Sequence, residues 1–227
     1  NLGIFNLLTF EPLFFFASFV SLNSANNNTF DIISNCFAIF SINLLLITGF
    51  EPNLLGEHQL YNISTAISAS RKMFNVADDA IKKGIQKIDL KGRLQEIKNG
   101  KLKNIAGNNR LVIDGGHNIS AALSIAKWIK SQNEEVNIIC GMLKDKDHLE
   151  FMKCFEGTIG SATLIDIPNQ ENGINKEELK NKLSHLNIDF KLADSIEQSI
   201  KLNSSNKNTI TLIVGSLYLV GEILNLN

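Results

Sequence analysis

The chain has 227 residues, 44% of them hydrophobic, which is enough for a sizeable core and for one large or two ordinary domains. Its formal net charge of -1 argues against a nucleic-acid surface, because neutralising phosphates takes clustered Lys and Arg. Three cysteines, Cys36, Cys140 and Cys154, form an odd set without metal-type spacing, as expected of a protein kept in a reducing cytoplasm.

The even balance conceals an asymmetry. Residues 1–50 contain no Lys or Arg and hold ten of the 14 Phe, and the first Lys or Arg is Arg71. The apolar runs around Pro12–Leu22 and Cys36–Phe50 are interrupted by Ser, Asn or Thr. Both fall short of the roughly 20 apolar residues a membrane-spanning helix needs. The basic n-region of a signal peptide is missing as well. With an Asn at position 1, the chain reads as a fragment, and residues 1–50 stay unassigned. A shifted reading frame in an AT-rich gene would produce such a composition; a buried pair of strands in a larger domain is the alternative.

From Glu51 the pattern becomes that of an ordinary globular chain. Leu60, Ile63, Thr65, Ala66, Ile67, Ala69 and Met73 recur at helical spacing, and Ala77–Ile88 predicts a second helix with Ile81, Ile85 and Ile88 on one side. Gly92-Arg93-Leu94-Gln95 reads as a linker, which sets a domain boundary near residue 92. Beyond it, strand and helix alternate. Strands are expected at 111–114, 136–140, 162–167, 188–193 and 209–214, and helices beginning near Asn118, Asp147, Lys176, Ser195 and Leu217. The alternation predicts an α/β, Rossmann-like, mostly parallel sheet over 93–227 with helices on both faces.

Ligands of such sheets collect at the carboxyl ends of the strands, where Asp114, Gly141 and Gly215-Ser216 all fall. The most informative stretch is Leu111–Lys130. There a short apolar strand ends in Asp114-Gly115-Gly116-His117-Asn118, and a helix begins whose free N–H groups would face the turn. Asn118 or Ser120 could cap that helix. Ile119, Ala122, Leu123, Ala126 and Ile129 are expected on its buried face. Asp114 is either a cap on its own turn or an acceptor for a ribose hydroxyl or a cation. His117 is a satisfied loop histidine or a participant in chemistry. Arg93 is a solvated linker charge or a bidentate phosphate ligand, and Ser216 an N-cap, a ligand donor or both. Lys144-Asp145-Lys146-Asp147 reads as an exposed loop with a helix-capping acid. Neither a P-loop nor a G-x-G-x-x-G fingerprint is present, so phosphoryl transfer would need parts from elsewhere.

Taken together, Pro52–Ile67 (PNLLGEHQLYNISTAI), Gly92–Gln95 (GRLQ), Leu111–Asn118 (LVIDGGHN), Gly141–Asp147 (GMLKDKD) and Val214–Glu222 (VGSLYLVGE) resemble folylpolyglutamate synthase/dihydrofolate synthase of the Mur ligase superfamily. The likeness spans about residues 52–227. It implies that 51–92 ends a central ATPase domain and that 93–227 is the C-terminal domain. By position it implies ATP contacts at Gln59, Asn62, Arg93 and Asp114, a catalytic-site histidine at His117, and a serine on the glutamate side at Ser216. The reaction implied is ATP-dependent ligation of L-glutamate to dihydropteroate or a folate tail through an acyl phosphate. Mg2+ is the implied partner of ATP, with its ligands and the phosphate loop outside this chain, so 227 residues alone are expected to be inactive. A cytoplasmic monomer with no membrane or nucleic-acid partner completes the expectation. The rivals are a Mur-type or cyanophycin-type ligase, a dinucleotide-binding oxidoreductase domain, and a membrane-associated interaction protein resting only on the Phe-rich start.

Overall fold

The computed structural model describes residues 57–74, 76–204 and 208–227. The readings made for residues 1–50 lie outside the described residues. The chain divides into two compact units, Asn1–Leu90 and Lys91–Asn227, each taken by itself below.

The described part of the first unit holds α1 (Glu57–Phe74) and α2 (Asp78–Gln86). Ile63, Ile67, Ile81 and Ile85 are buried in one cluster, with Val76 and Ile88 packed against it. Asp78 and Asp79 open α2, where acids favour the positive end of the helix dipole.

The second unit is a six-stranded sheet in the order β1-β2-β6-β3-β4-β5, formed by β1 (Gln95–Glu96), β2 (Arg110–Ile113), β3 (Glu135–Cys140), β4 (Ser161–Leu164), β5 (Asp189–Leu192) and β6 (Thr209–Val214). Only β1 is antiparallel; it pairs Gln95 with Ile113 and Glu96 with Val112. The remaining pairings are parallel, and β6 bonds β2 on one side and β3 on the other. Its sequence, TITLIV, is buried at every position, as expected of a central strand covered on both faces.

Six helices cover the sheet: α3 (Lys101–Ala106), α4 (Ile119–Lys130), α5 (His148–Lys153), α6 (Lys176–Lys182), α7 (Ile196–Asn203) and α8 (Leu217–Leu226). Alternate strand residues separate the core into two clusters. One joins Val112, Ile138 and Leu212 to Ala122 and Ile125 of α4, Phe151 of α5 and Leu179 of α6. The other joins Ile113, Ile139 and Ile213 to Leu102 of α3, Ile200 of α7 and Leu219 of α8. Helices α4, α5 and α6 therefore lie on one face, and α3, α7 and α8 on the other. The chain winds outward from β2 through β5 on the first face and returns on the second to insert β6 beside β2. After β2 and β6 it thus leaves for opposite faces, which opens a crevice at their carboxyl ends.

The expected parallel α/β sheet is present, and the strand and helix starts fall within a residue or two of the sequence reading. Three details differ. Residues 92–95 are not a plain linker, since Gln95–Glu96 form the edge strand, and α3 follows unanticipated. Strand β4 ends at Leu164, before the expected 167. On α4 the buried face is Ala122, Ile125, Ala126, Trp128 and Ile129, while Ile119 is 42% and Leu123 59% exposed. The stripe is rotated so that Ile125 and Trp128, in place of Ile119 and Leu123, take the sheet side.

Helix α3 has Gly100 at its N-cap and no capping side chain of its own. The cap comes from the far end of the sequence. Asn227 Oδ1 accepts the Leu102 N–H at 3.0 Å, and Asn227 Nδ2 donates to the Asn99 carbonyl at 2.8 Å. The Asn227→Ala substitution is expected to cost about 1 kcal/mol, typical of a lost N-cap, read as a lowered urea midpoint at unchanged slope.

Candidate functional site

Three loops leave neighbouring strands at the carboxyl edge and are stitched together by main-chain hydrogen bonds. After β2, the Gly116 carbonyl accepts the Gly215 N–H at 2.9 Å; after β3, the Gly141 N–H donates to the Val214 carbonyl at 3.3 Å. Gly215 has φ +107, and a Cβ there would lie 2.6 Å from the Gly141 carbonyl oxygen. Any side chain would force the β6 and β3 loops apart.

Asp114 is the centre of this corner. It is 4% exposed, and its two carboxylate oxygens accept from different segments. Oδ1 takes the Gly116 N–H at 2.7 Å, closing the turn, and Oδ2 takes the Leu94 N–H at 2.8 Å, twenty residues back in sequence. The Gly115 N–H donates to the Gly92 carbonyl at 2.8 Å, and the Gly92 N–H donates to Gln95 Oε1 at 2.9 Å. Arg93 is half-buried between these tied neighbours. Its guanidinium reaches Gly115, with one terminal nitrogen 3.2 Å from where a Cβ would stand. Leu217 Cδ2 would come within 2.2 Å of the same Cβ, so a side chain on Gly115 would have to displace Leu217.

His117 is half-buried, with Nδ1 2.9 Å from the Gly115 carbonyl. A carbonyl only accepts, so Nδ1 carries the proton and the lone pair of the neutral ring is at Nε2. Asn118, and not Ser120, caps α4, its Oδ1 accepting the Ala121 N–H at 2.9 Å. On the β3 loop, Asp147 caps α5 by accepting the Glu150 N–H at 3.2 Å. His148 Nε2 donates to the Leu143 carbonyl at 2.8 Å and braces the Lys144–Asp147 loop from beneath. The Asp145 carboxyl is held below its ordinary range chiefly by its hydrogen bond to Lys146, with His117 adding a smaller electrostatic contribution. Ser216 is 3% exposed and is the N-cap of α8, its Oγ accepting the Tyr218 N–H at 3.1 Å.

Of the residues singled out from sequence, Arg93, Asp114, His117 and Ser216 are thus brought into one corner of the second unit. Gln59 and Asn62 lie on α1 in the first unit. Gln59 is 2% exposed, and its Oε1 accepts from Asn62 Nδ2 at 3.2 Å. The sequence reading missed Gly92, Leu94, Gln95, Leu217 and His148 as parts of the corner's frame. The Gly-x-x-Gln spacing of a side-chain-closed turn was the available signal for Gln95. Among the described residues no group of three or more His, Cys, Asp or Glu is placed to hold a metal ion. Among them, too, no helix is long and apolar enough to cross a membrane.

These features define a class: a doubly wound α/β domain whose β2 and β6 loops meet at the topological switch point, where such folds receive their ligands. No protein-family model matches the chain. The dihydrofolate synthase/folylpolyglutamate synthase of Haemophilus influenzae is 27% identical over 180 residues, 72% of this chain and 41% of that protein. The probable dihydrofolate synthetase of Schizosaccharomyces pombe is 24% identical over 188 residues, 77% of this chain and 44% of that one. Among solved structures, Mycobacterium tuberculosis folylpolyglutamate synthase complexed with ADP superposes with TM-score 0.68 at 19% identity, over 77% of this chain and 41% of that chain. The Yersinia pestis bifunctional enzyme complexed with AMPPNP and Mn ion gives 0.61 at 20% identity, over 77% and 39%. The chain therefore resembles dihydrofolate and folylpolyglutamate synthases in sequence, has their fold, and spans under half the length of the curated relatives it matches.

Cys140, at the end of β3 beneath Gly215, is wholly buried, and burial pushes its thiol up from 9.0 to about 12. Because the folded thiol holds its proton more tightly than the unfolded one, the fold loses stability as pH rises above 9.0. Alkylation at pH 8 is expected to spare Cys140 in the native protein and to modify it in urea, as read by mass spectrometry of the peptide that contains it.

Proposed function

We infer that this chain supplies one side of the nucleotide site of an ATP-dependent ligase that joins L-glutamate to dihydropteroate or to a folate glutamyl tail. The observation that carries the reading is the Arg93–Asp114–His117 corner at the switch point, in a fold shared with synthases solved with ADP or AMPPNP. The ligase's setting would be the cytoplasm, and its working form a monomer.

In this reading ATP phosphorylates the acceptor carboxylate, the amino group of glutamate attacks the acyl phosphate, an amide forms and phosphate leaves. Arg93 offsets charge on the phosphates as it develops, through charged hydrogen bonds of about 1.5–3 kcal/mol. The first turn of α4, capped by Asn118, adds N–H groups at the positive end of a helix dipole. His117, protonated at Nδ1 by its bond to Gly115, presents Nε2 as the acceptor that can take a proton from the incoming ammonium. Ser216 stands on the glutamate side. Mg2+ would neutralise phosphate charge when bound with ATP.

Calorimetric titration of the chain with ADP tests the reading. Saturable binding is expected, weakened about tenfold or more by Arg93→Ala, the size of one lost charged hydrogen bond. Binding of NADH that ADP does not displace would move the protein to the oxidoreductases, and binding of UDP-linked carboxylates in place of dihydropteroate would move it to the peptidoglycan ligases.

A further inference from the structure

The Arg93 backbone is fastened on both sides. The preceding residue, Gly92, gives its carbonyl to the Gly115 N–H at 2.8 Å and its own N–H to Gln95 Oε1 at 2.9 Å. The following residue, Leu94, gives its N–H to Asp114 Oδ2 at 2.8 Å. Leu94 has φ +45, a backbone conformation that costs a non-glycine residue energy and persists only where the surroundings impose it. It is 1% exposed and packed into the core cluster with Val112, Ala122 and Ile125. The same Asp114 carboxylate closes the turn to Gly116, which sets Gly115 beneath the guanidinium.

We propose that Asp114 and Gln95 are positioning residues that clasp the Gly92-Arg93-Leu94 turn to the end of β2 and so aim the Arg93 guanidinium across Gly115 at a bound phosphate. The inference rests on the nucleotide reading above and changes the work given to Asp114. Its carboxylate acts through Arg93 by receiving two main-chain N–H groups, one from each segment. A carboxylate is the side chain that can accept from both segments at once. The carboxamide of Asn has one oxygen and turns an NH2 group toward the second N–H, so Asp114→Asn keeps the shape and breaks one arm.

Two measurements on the full chain test this. The first is amide hydrogen exchange followed by NMR. In Asp114→Asn the Leu94 or the Gly116 amide is expected to exchange at least about tenfold faster while core amides such as Ile138 stay protected, and in Asp114→Ala both are expected to do so. Gln95→Ala is expected to release the Gly92 amide alone. Unchanged exchange at Leu94 and Gly116 in a folded Asp114→Ala protein would overturn the clasp. If the Ala variant does not fold, unchanged exchange at both amides in Asp114→Asn does the same.

The second measurement compares ADP with 2′,3′-dideoxy-ADP. If Asp114 works through Arg93, Asp114→Asn weakens both nucleotides by the same factor, and adding it to Arg93→Ala costs little more. Loss of affinity for ADP with none for the dideoxy nucleotide would show Asp114 reading the ribose and would overturn the assignment. A wild-type chain that binds neither nucleotide removes the functional reading, and the clasp is then decided by the exchange data alone.

Discussion

Everything assembled at the carboxyl edge depends on the Asp114 carboxylate receiving two main-chain N–H groups. A buried carboxylate is costly to desolvate unless it is hydrogen-bonded, and here the compensation comes from segments twenty residues apart, at Leu94 and Gly116. One oxygen shapes the β2 turn, and the other draws in the segment that carries Arg93. The positive φ of Leu94 is a local cost repaid through this bond and through burial of its side chain. The half-buried Arg93 and His117 therefore sit on a frame that is itself buried.

That frame exists because of how the sheet is wound. With β6 inserted between β2 and β3, chain leaving β2 passes to α4 on one face, and chain leaving β6 passes to α8 on the other. The loops cannot cover each other, and the main-chain bond from Gly215 to Gly116 holds them side by side. Glycines stand where the loops approach most closely. A Cβ on Gly115 would strike Leu217, and one on Gly215 would strike the Gly141 carbonyl. Packing at the switch point thus dictates the small residues.

Much of this was legible in the sequence. The β2–β6 strands read clearly because short apolar runs alternate with helical spacing, and Asn118, Asp147 and Ser216 read as caps because their residue types sit where helices begin. The Asp114–His117 turn stood out for its glycines. The Gly92–Gln95 segment did not read correctly, because two-residue strand β1 carries no periodicity and the partner of the Leu94 N–H is distant in sequence. The rotation of α4 was missed for a different reason. Ile119, Leu123 and Ile125 are equally apolar, and only the position of the sheet shows that Ile125 faces inward while the other two are exposed. The α3 cap at Asn227 is likewise a contact between the two ends of the unit that no local pattern announces.

Among the synthases that share this fold, the Mycobacterium tuberculosis one was solved with ADP and the Yersinia pestis one with AMPPNP and Mn ion. The proposed function places the nucleotide in the crevice between the β2 and β6 loops. Amide chemical-shift mapping during an ADP titration tests it most directly. The account predicts that the largest shifts fall on Arg93, Gly115, Gly116, His117 and Asn118. Shifts confined to the opposite edge of the sheet, around Arg110 and Glu134, would contradict it.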